Sequence, residues 1–193
     1  IGKNYAQYLD IPSMDPKRKK GAFTSAQMEQ LSAMAAQGVP WADTALMLCY
    51  TGFRISEFLE LTPASYHADG DYLQGGKKSE AGRDRIIPVH PKVKPYLMAW
   101  LDKGGPTIFC RDGEPVSVGW YRSAAFPPIV QALGVMDATP HWCRHTFATR
   151  LHASGVDTLA IKWLMGHSTR GDITMRYTHD SLEVLRAAVE KLD

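Results

Sequence analysis

The sequence predicts a mainly α-helical domain interrupted once by a small antiparallel sheet of three strands. Three observations carry this reading. Helix-start signals recur along the chain, each followed by apolar residues at helical spacing. Between about residues 64 and 89 that spacing gives way to short strand-like runs parted by turn residues. The chain of 193 residues, 45% hydrophobic and 22% charged, has the size and composition of one globular domain with its own core.

Residues 1–22 hold Pro12, Pro16 and the basic block "KRKK" at 17–20, and read as a linker or basic arm ahead of a folded domain over 23–193. "FTSAQMEQLSAMAAQG" opens the first helix: Thr24 is placed to cap it, Gln27 to answer the cap, Phe23 to staple onto Met28, and Gly38 to end it. "WADTALMLCY" is apolar nearly all round, which marks a central helix. "TG" at 51–52 breaks it, and "FRISEFLEL" resumes with Ile55, Phe58 and Leu59 spaced for a core; Arg54 and Glu57, three apart, share a neighbouring face. Pro63 stops that helix. "ASYHADGDYLQ" places a "DGD" turn between two strands, and "RIIPV" supplies the third.

Helices return at about 91–102 and 118–134, the second kinked, split or shortened by Pro127 and Pro128. Thr139-Pro140 starts a helix that runs to about Ala153 and ends near Gly155. Asp157 caps the next, with Val156 and Ile161 as a staple, and Gly166 stops it. A short helical piece around 172–177 follows. The last helix, 180–192, carries Leu182, Leu185, Val189 and Leu192 as an apolar stripe.

The net charge of +2, from 22 basic and 20 acidic residues, is too small to announce a polyanionic partner. Its distribution says more: "KRKK" and "KKSEAGRDR" are local patches that can meet phosphate while the total stays low. The 3 cysteines, Cys49, Cys110 and Cys143, lack metal-ligand spacing; Cys49 and Cys143 read as small core residues, a usage suited to a reducing compartment. No apolar run is long enough to span a membrane, and no signal peptide is visible. The chain begins with Ile1 rather than Met, and we expect a piece of a longer protein with upstream domains.

The stretch "HWCRHTFATR" at 141–150 admits three readings. His141 and His145, four apart on a helix, could share a metal ion, but the hydrolase pattern HExxH has its glutamate where Trp142 stands. The histidines could serve the core or a helix end. Alternatively, His141 and Arg144 lie near the positive end of a helix, where an anion is favoured and an arginine can fork onto two phosphate oxygens.

Partners elsewhere in the chain bear on that choice. "TGFRISEFLEL", "KKSEAGRDRIIPV", "HWCRHTFATRL" and "LMGHSTRGDITMRYTH" resemble, in order and spacing, the successive motifs of the tyrosine recombinase catalytic domain, the phage integrase family. The resemblance covers about residues 20 to 190. It implies that family's catalytic-domain fold, and it assigns the G-x-R-x-x-E arginine and its acidic support to Arg54 and Glu57. The hairpin lysine falls on Lys78, the H-x-x-R pair on His141 and Arg144, the L-G-H-S type histidine on His167, and the nucleophile on Tyr177. Lys77 and Lys78 would point to opposite faces of a strand, so one of them serves. The spacing from His167 to Tyr177 is one residue longer than the family's common one.

The activity so implied is cutting and rejoining of double-stranded DNA through a 3′-phosphotyrosyl intermediate. Tyr177 attacks phosphorus; His141 is the best candidate for the base that takes its proton; Arg54, Arg144 and His167 stabilise the charge that gathers on the non-bridging oxygens; Lys78 protonates the leaving 5′-oxygen. No metal or other cofactor is required, because protein cations occupy that role. The family implies a homotetramer across two DNA sites, with the isolated fragment able to be monomeric. It also implies a place in the bacterial cytoplasm at the nucleoid, and integration or excision of a mobile element as the task. A type IB topoisomerase-like enzyme and a non-catalytic DNA-binding module are the rival readings.

Overall fold

The computed structural model describes residues 21–76, 84–167 and 179–192. The basic block 17–20, Lys77, Lys78, the short helix expected around 172–177, and Tyr177 lie outside the described residues. What is described is mainly helical with a small antiparallel sheet, as expected.

Helix α1 (Ser25–Ala36) begins with the anticipated capping box: Thr24 Oγ1 accepts from Gln27 N at 3.3 Å, and Gln27 Oε1 accepts from Thr24 N at 2.9 Å. The preceding Phe23 N donates to Thr146 Oγ1 at 2.8 Å, which ties the start of the domain to a helix far along the chain. Helix α2 (Ala42–Thr51) is central. Ala42 and every residue from Thr44 to Thr51 are buried, and the helix packs between α1 and α7 (Pro140–Ala153). Cys49 and Cys143 are buried where these helices meet, as their apolar contexts implied. Gly52 then takes the left-handed conformation (φ 62°) and returns its N–H to Leu48 O, which ends α2 and turns the chain into the short helix α3 (Ile55–Leu59).

The three-stranded sheet comprises β1 (Tyr66–His67), β2 (Tyr72–Gly75) and β3 (Arg85–Pro88), antiparallel in the order β1-β2-β3. Leu73 pairs with Ile87, and both are buried. Because side chains alternate, Arg85 shares the inward face with Ile87 and is itself fully buried. Helix α4 (Lys94–Asp102) follows. A second, unforeseen hairpin joins β4 (Cys110–Arg111) to β5 (Glu114–Pro115) through Asp112 and Gly113, both at positive φ.

The helix expected over 118–134 is split. Helix α5 (Val118–Trp120) opens into a π-helical turn, Tyr121–Ala125, before α6 (Phe126–Ala132). Pro127 and Pro128 have no N–H to donate to the preceding turn, and Phe126 N instead reaches five residues back to Tyr121 O. Helix α7 starts after Thr139 with Pro140 in its first turn. Helix α8 (Thr158–Met165) is capped by Asp157 Oδ1, which accepts from Leu159 N and Ala160 N, and ends at left-handed Gly166. Helix α9 (His179–Val189) buries Leu185, Val189 and the following Leu192 against β3 and α8, and Arg186 donates to Gly70 O. Its apolar stripe is thus covered within its own chain. Trp142 packs on Phe23, and Trp163 is half-buried against the core. Among the described residues no helix is long and apolar enough to cross a membrane.

A methyl group on Gly52 would lie 2.3 Å from Phe147 Cδ1, in addition to the strain of a left-handed backbone. We expect Gly52→Ala to lower unfolding free energy by about 3 kcal/mol, from backbone strain plus overpacking, read as a lower urea midpoint at an unchanged slope.

Candidate active site

Of three consecutive residues after α2, two meet an arginine and the third is one. The Gly52 carbonyl accepts from Arg144 Nη1. The Phe53 ring lies under the Arg85 guanidinium, 4.5 Å from Cζ to the ring centroid. Arg54, at the N-cap of α3, bonds its guanidinium to Glu57: Nη1 donates to Oε1 at 2.8 Å. Glu57 Oε2 takes the Arg54 backbone N–H at 3.1 Å and Arg85 Nη2 at 2.7 Å. The helical spacing of Arg54 and Glu57 therefore becomes a capping interaction and an ion pair at once. A second arginine reaches the same carboxylate from β3.

Arg144 is 3% exposed. It stands in the second turn of α7 and reaches between two helix ends. Nη1 bonds Gly52 O at the end of α2, and Nη2 bonds Met165 O at the end of α8. Both are carbonyls of last turns, which carry the negative ends of helix dipoles. Gly166 turns the chain sharply after Met165, so that His167 Nε2 comes within 3.4 Å of Arg144 Nη2. An arginine only donates, so in this contact Nε2 accepts and the imidazole proton sits on Nδ1.

Among the described residues, three guanidinium groups surround one carboxylate here. Burial alone would raise the Glu57 carboxyl; the hydrogen bond and charge of Arg85 and the bonds from Arg54 override it and hold it at about 2. Burial lowers Arg144 to about 9, helped by the charges of Arg85 and Arg54 and opposed by Glu57. At neutral pH it remains a cation. His167 is lowered as well, by desolvation of its ring and then by Arg144, Arg54 and Arg85, which keeps the imidazole neutral. The cluster holds more positive charge than its own carboxylate neutralises, an arrangement that an anion completes.

His141 lies one turn before Arg144 on α7 and is exposed at the helix start; its ring meets His145 edge-on, with centroids 4.6 Å apart. Of the sequence-derived site residues, the structure gathers Arg54, Glu57, Arg144 and His167, and sets His141 on the same helix end. Lys78 and Tyr177 lie outside the described residues. Cavities of about 420, 330 and 570 Å3 lie elsewhere, and none of these is lined by these groups. Among the described residues no group of three His, Cys, Asp or Glu side chains is arranged to hold a metal ion.

This geometry is matched by kinship. The sequence profile of the phage integrase family matches residues 22–183. The chain belongs to the phage integrase family. The tyrosine recombinase XerA of Thermococcus kodakarensis is 33% identical over 199 residues, which cover 96% of this chain and 67% of that protein. The tyrosine recombinase XerD of Lacticaseibacillus casei is 29% identical over 151 residues, 73% of this chain and 50% of that one. The chain therefore spans about half the length of the latter relative. Among solved structures, the Tn1549 transposon integrase in complex with transposon right end DNA superposes with a TM-score of 0.68 at 26% identity, covering 95% of this chain and 69% of that one.

For this phage integrase family member, sequence reasoning missed Arg85. The signal was present: in "RIIPV" the alternation puts Arg85, Ile87 and Val89 on one face, and a strand with two apolar residues on its core face carries the third residue inward too.

The carboxyl of Glu57 ties acid sensitivity to the site. Its folded value of about 2 lies below the ordinary 4.5, so the stabilisation it gives is fully present above pH 4.5 and is lost as pH falls through 2. That difference is on the order of 3 kcal/mol. Urea unfolding of wild type and Glu57→Gln between pH 7 and pH 2 should show a gap that closes across this window; a gap independent of pH would refute the assignment.

Proposed function

We propose that this chain is the strand-cutting domain of a site-specific recombinase that acts on double-stranded DNA, with residues 23–193 as that domain and residues 1–22 as a linker or basic arm. The observation that supports this most is the meeting of Arg54, Arg144 and His167, distant in sequence, in one cluster of positive charge beside the Glu57 carboxylate. A cluster of guanidinium groups whose charge exceeds that of Glu57 suits the phosphates of a duplex backbone.

In this reading the phosphodiester sits against Arg54 and Arg144, and His167 turns its N–H to a non-bridging oxygen. Glu57 keeps the Arg54 fork in place. Tyr177 attacks phosphorus and its proton passes to His141; the bond to the 5′-oxygen breaks, and Lys78 supplies the proton that this oxygen needs. The 3′-phosphotyrosyl bond stores the energy of the cleaved linkage, and a 5′-hydroxyl from a second strand reverses the step. The fixed cations stabilise the transition state because their orientation is set before DNA arrives. We infer a homotetramer across two sites, monomeric when isolated, working on a mobile element at the nucleoid in the cytoplasm. The likeness to a transposon integrase bound to transposon end DNA supports the choice of partner.

A pool of nicked suicide duplexes of randomised sequence tests the reading. Wild type should become covalently joined to a 3′ end, with EDTA present or absent, and Tyr177→Phe should not. Arg54→Ala and Arg144→Ala should each slow adduct formation by about 100- to 1,000-fold, the usual loss for one oxyanion-type donor. Binding without any adduct would leave a DNA-binding module, and relaxation of supercoils without exchange of labelled strands would indicate a topoisomerase.

A further inference from the structure

We propose that Arg85 is a positioning residue of this active site: from the inward face of β3 it fixes the Glu57 carboxylate, and through that carboxylate the orientation of Arg54. The inference rests on the recombinase reading for its kinetic consequence, but its geometric content stands apart from it.

Arg54 is only partly covered, with 27% of its side chain exposed. Its partner Glu57 is three residues ahead, and an exposed ion pair at that spacing holds long side chains loosely. Glu57 is not in that situation, because it is 6% exposed and shares Oε2 between the Arg54 backbone N–H and Arg85 Nη2. Arg85 in turn has no freedom to follow. It is 0% exposed, its guanidinium lies flat enough over Phe53 to bring Cζ within 4.5 Å of the ring, and its backbone is locked opposite Gly75 in the sheet. The order of restraint runs from sheet to Arg85, to Glu57, to Arg54.

Stability alone does not account for an arginine at this place. A buried ion pair replaced by apolar groups of similar volume often leaves a protein as stable or more so, so leucine or methionine on β3 with an apolar residue at 57 would serve the core as well. What an apolar pair cannot do is present a carboxylate at a fixed place to a guanidinium that must fork onto a phosphate. A displacement of that fork by about 1 Å costs on the order of 100-fold in rate.

The test uses the full chain and the suicide duplex selected above. At saturating DNA, Arg85→Met should form adduct about 10- to 100-fold more slowly than wild type, while the dissociation constant for the same duplex changes by no more than about threefold. Arg85→Lys, which keeps a cation near Glu57, should recover part of the rate. In a Glu57→Gln background, Arg85→Met should add little further loss, because the positioning effect of Arg85 runs through Glu57. Multiplying losses would overturn the proposal, as would an Arg85→Met rate equal to that of wild type. The double variant leaves no buried carboxylate without its cation, so it decides the question even if Arg85→Met alone fails to fold. A second readout needs no DNA. The Arg54 Nε–H signal in 15N relaxation should be rigid in wild type, mobile in Arg85→Met and intermediate in Arg85→Lys; wild-type rigidity in both variants would overturn the proposal. If wild type forms no adduct on any duplex, the recombinase reading falls, and this signal still decides whether Arg85 orders Arg54.

Discussion

A guanidinium taken out of water must be given acceptors or a counter-charge, and this domain is organised around meeting that demand twice. Arg144 is met by backbone carbonyls and Arg85 by a carboxylate and a ring face. Neither solution is local. Arg144 belongs to α7 and takes its acceptors from the ends of α2 and α8, so three helices converge where it sits. Arg85 belongs to β3 and takes its partners from the junction of α2 and α3. Each helix end, for its part, has last-turn carbonyls that lack intrahelical partners, and a buried cation is a strong donor for them. The termination of α2 at Gly52 and of α8 at Gly166 thus serves both sides: the left-handed turns stop the helices and leave carbonyls facing Arg144.

The electrostatic result is a site that holds its charge in advance. Bringing Arg54, Arg85 and Arg144 together around Glu57 is unfavourable in isolation, which is why burial and neighbouring charges depress Arg144 and His167 while Glu57 is pinned as a carboxylate. In the recombinase reading proposed above, a phosphodiester at this cluster supplies the missing negative charge and reverses those pressures. In the same reading it changes what His167 does. In the free chain its Nε2 accepts from Arg144; an oxygen of the phosphate offers Arg144 a better acceptor and frees the imidazole to turn a donor toward the same group. Neutral at rest, the imidazole pays no desolvation penalty for a charge that it does not need.

Much of this was legible in the sequence, and the boundary of legibility is physical. Thr24 with Gln27, Asp157, and the glycines at 52 and 166 mark helix ends because capping uses groups within a few residues of one another. The sheet declared itself by a change of period. The motif residues Arg54, Glu57, Arg144 and His167 were readable as a set because a resemblance supplied their joint context, not because any one of them is distinctive. The DG hairpin at 112–113 carried a local signal that the apolar pattern around it obscured. The π turn at Tyr121–Ala125 follows from counting which carbonyls two prolines leave without a donor, although the prolines by themselves announced only an interruption. Arg85 was hardest: a charge cluster in "KKSEAGRDR" reads as solvated, and only the strand register separates the buried arginine from its neighbours.

The position of the site is set from its far side as well. Helix α2 is a buried rod whose C-terminal end delivers Gly52, Phe53 and Arg54, and its N-terminal end is fastened by an aromatic cluster. Trp41 precedes α2 in a left-handed conformation (φ 65°) that a bulky residue adopts only when its surroundings compel it. Trp100 and Trp120, each with its ring centroid 5.2 Å from that of Trp41, and Tyr121 at 6.0 Å supply that compulsion. Asp43 in the first turn of α2 accepts from Trp100 Nε1 at 2.6 Å, and buried Thr44 bonds Tyr121 at 2.9 Å. Tyr121 lies in the π turn, so the irregularity that the prolines impose is also what brings its hydroxyl to α2. A close-packed helix does not bend to absorb a shift at one end. The conformation forced on Trp41 is therefore tolerated at a distance from the chemistry because it fixes where α2 begins, and with it where the Gly52 carbonyl meets Arg144.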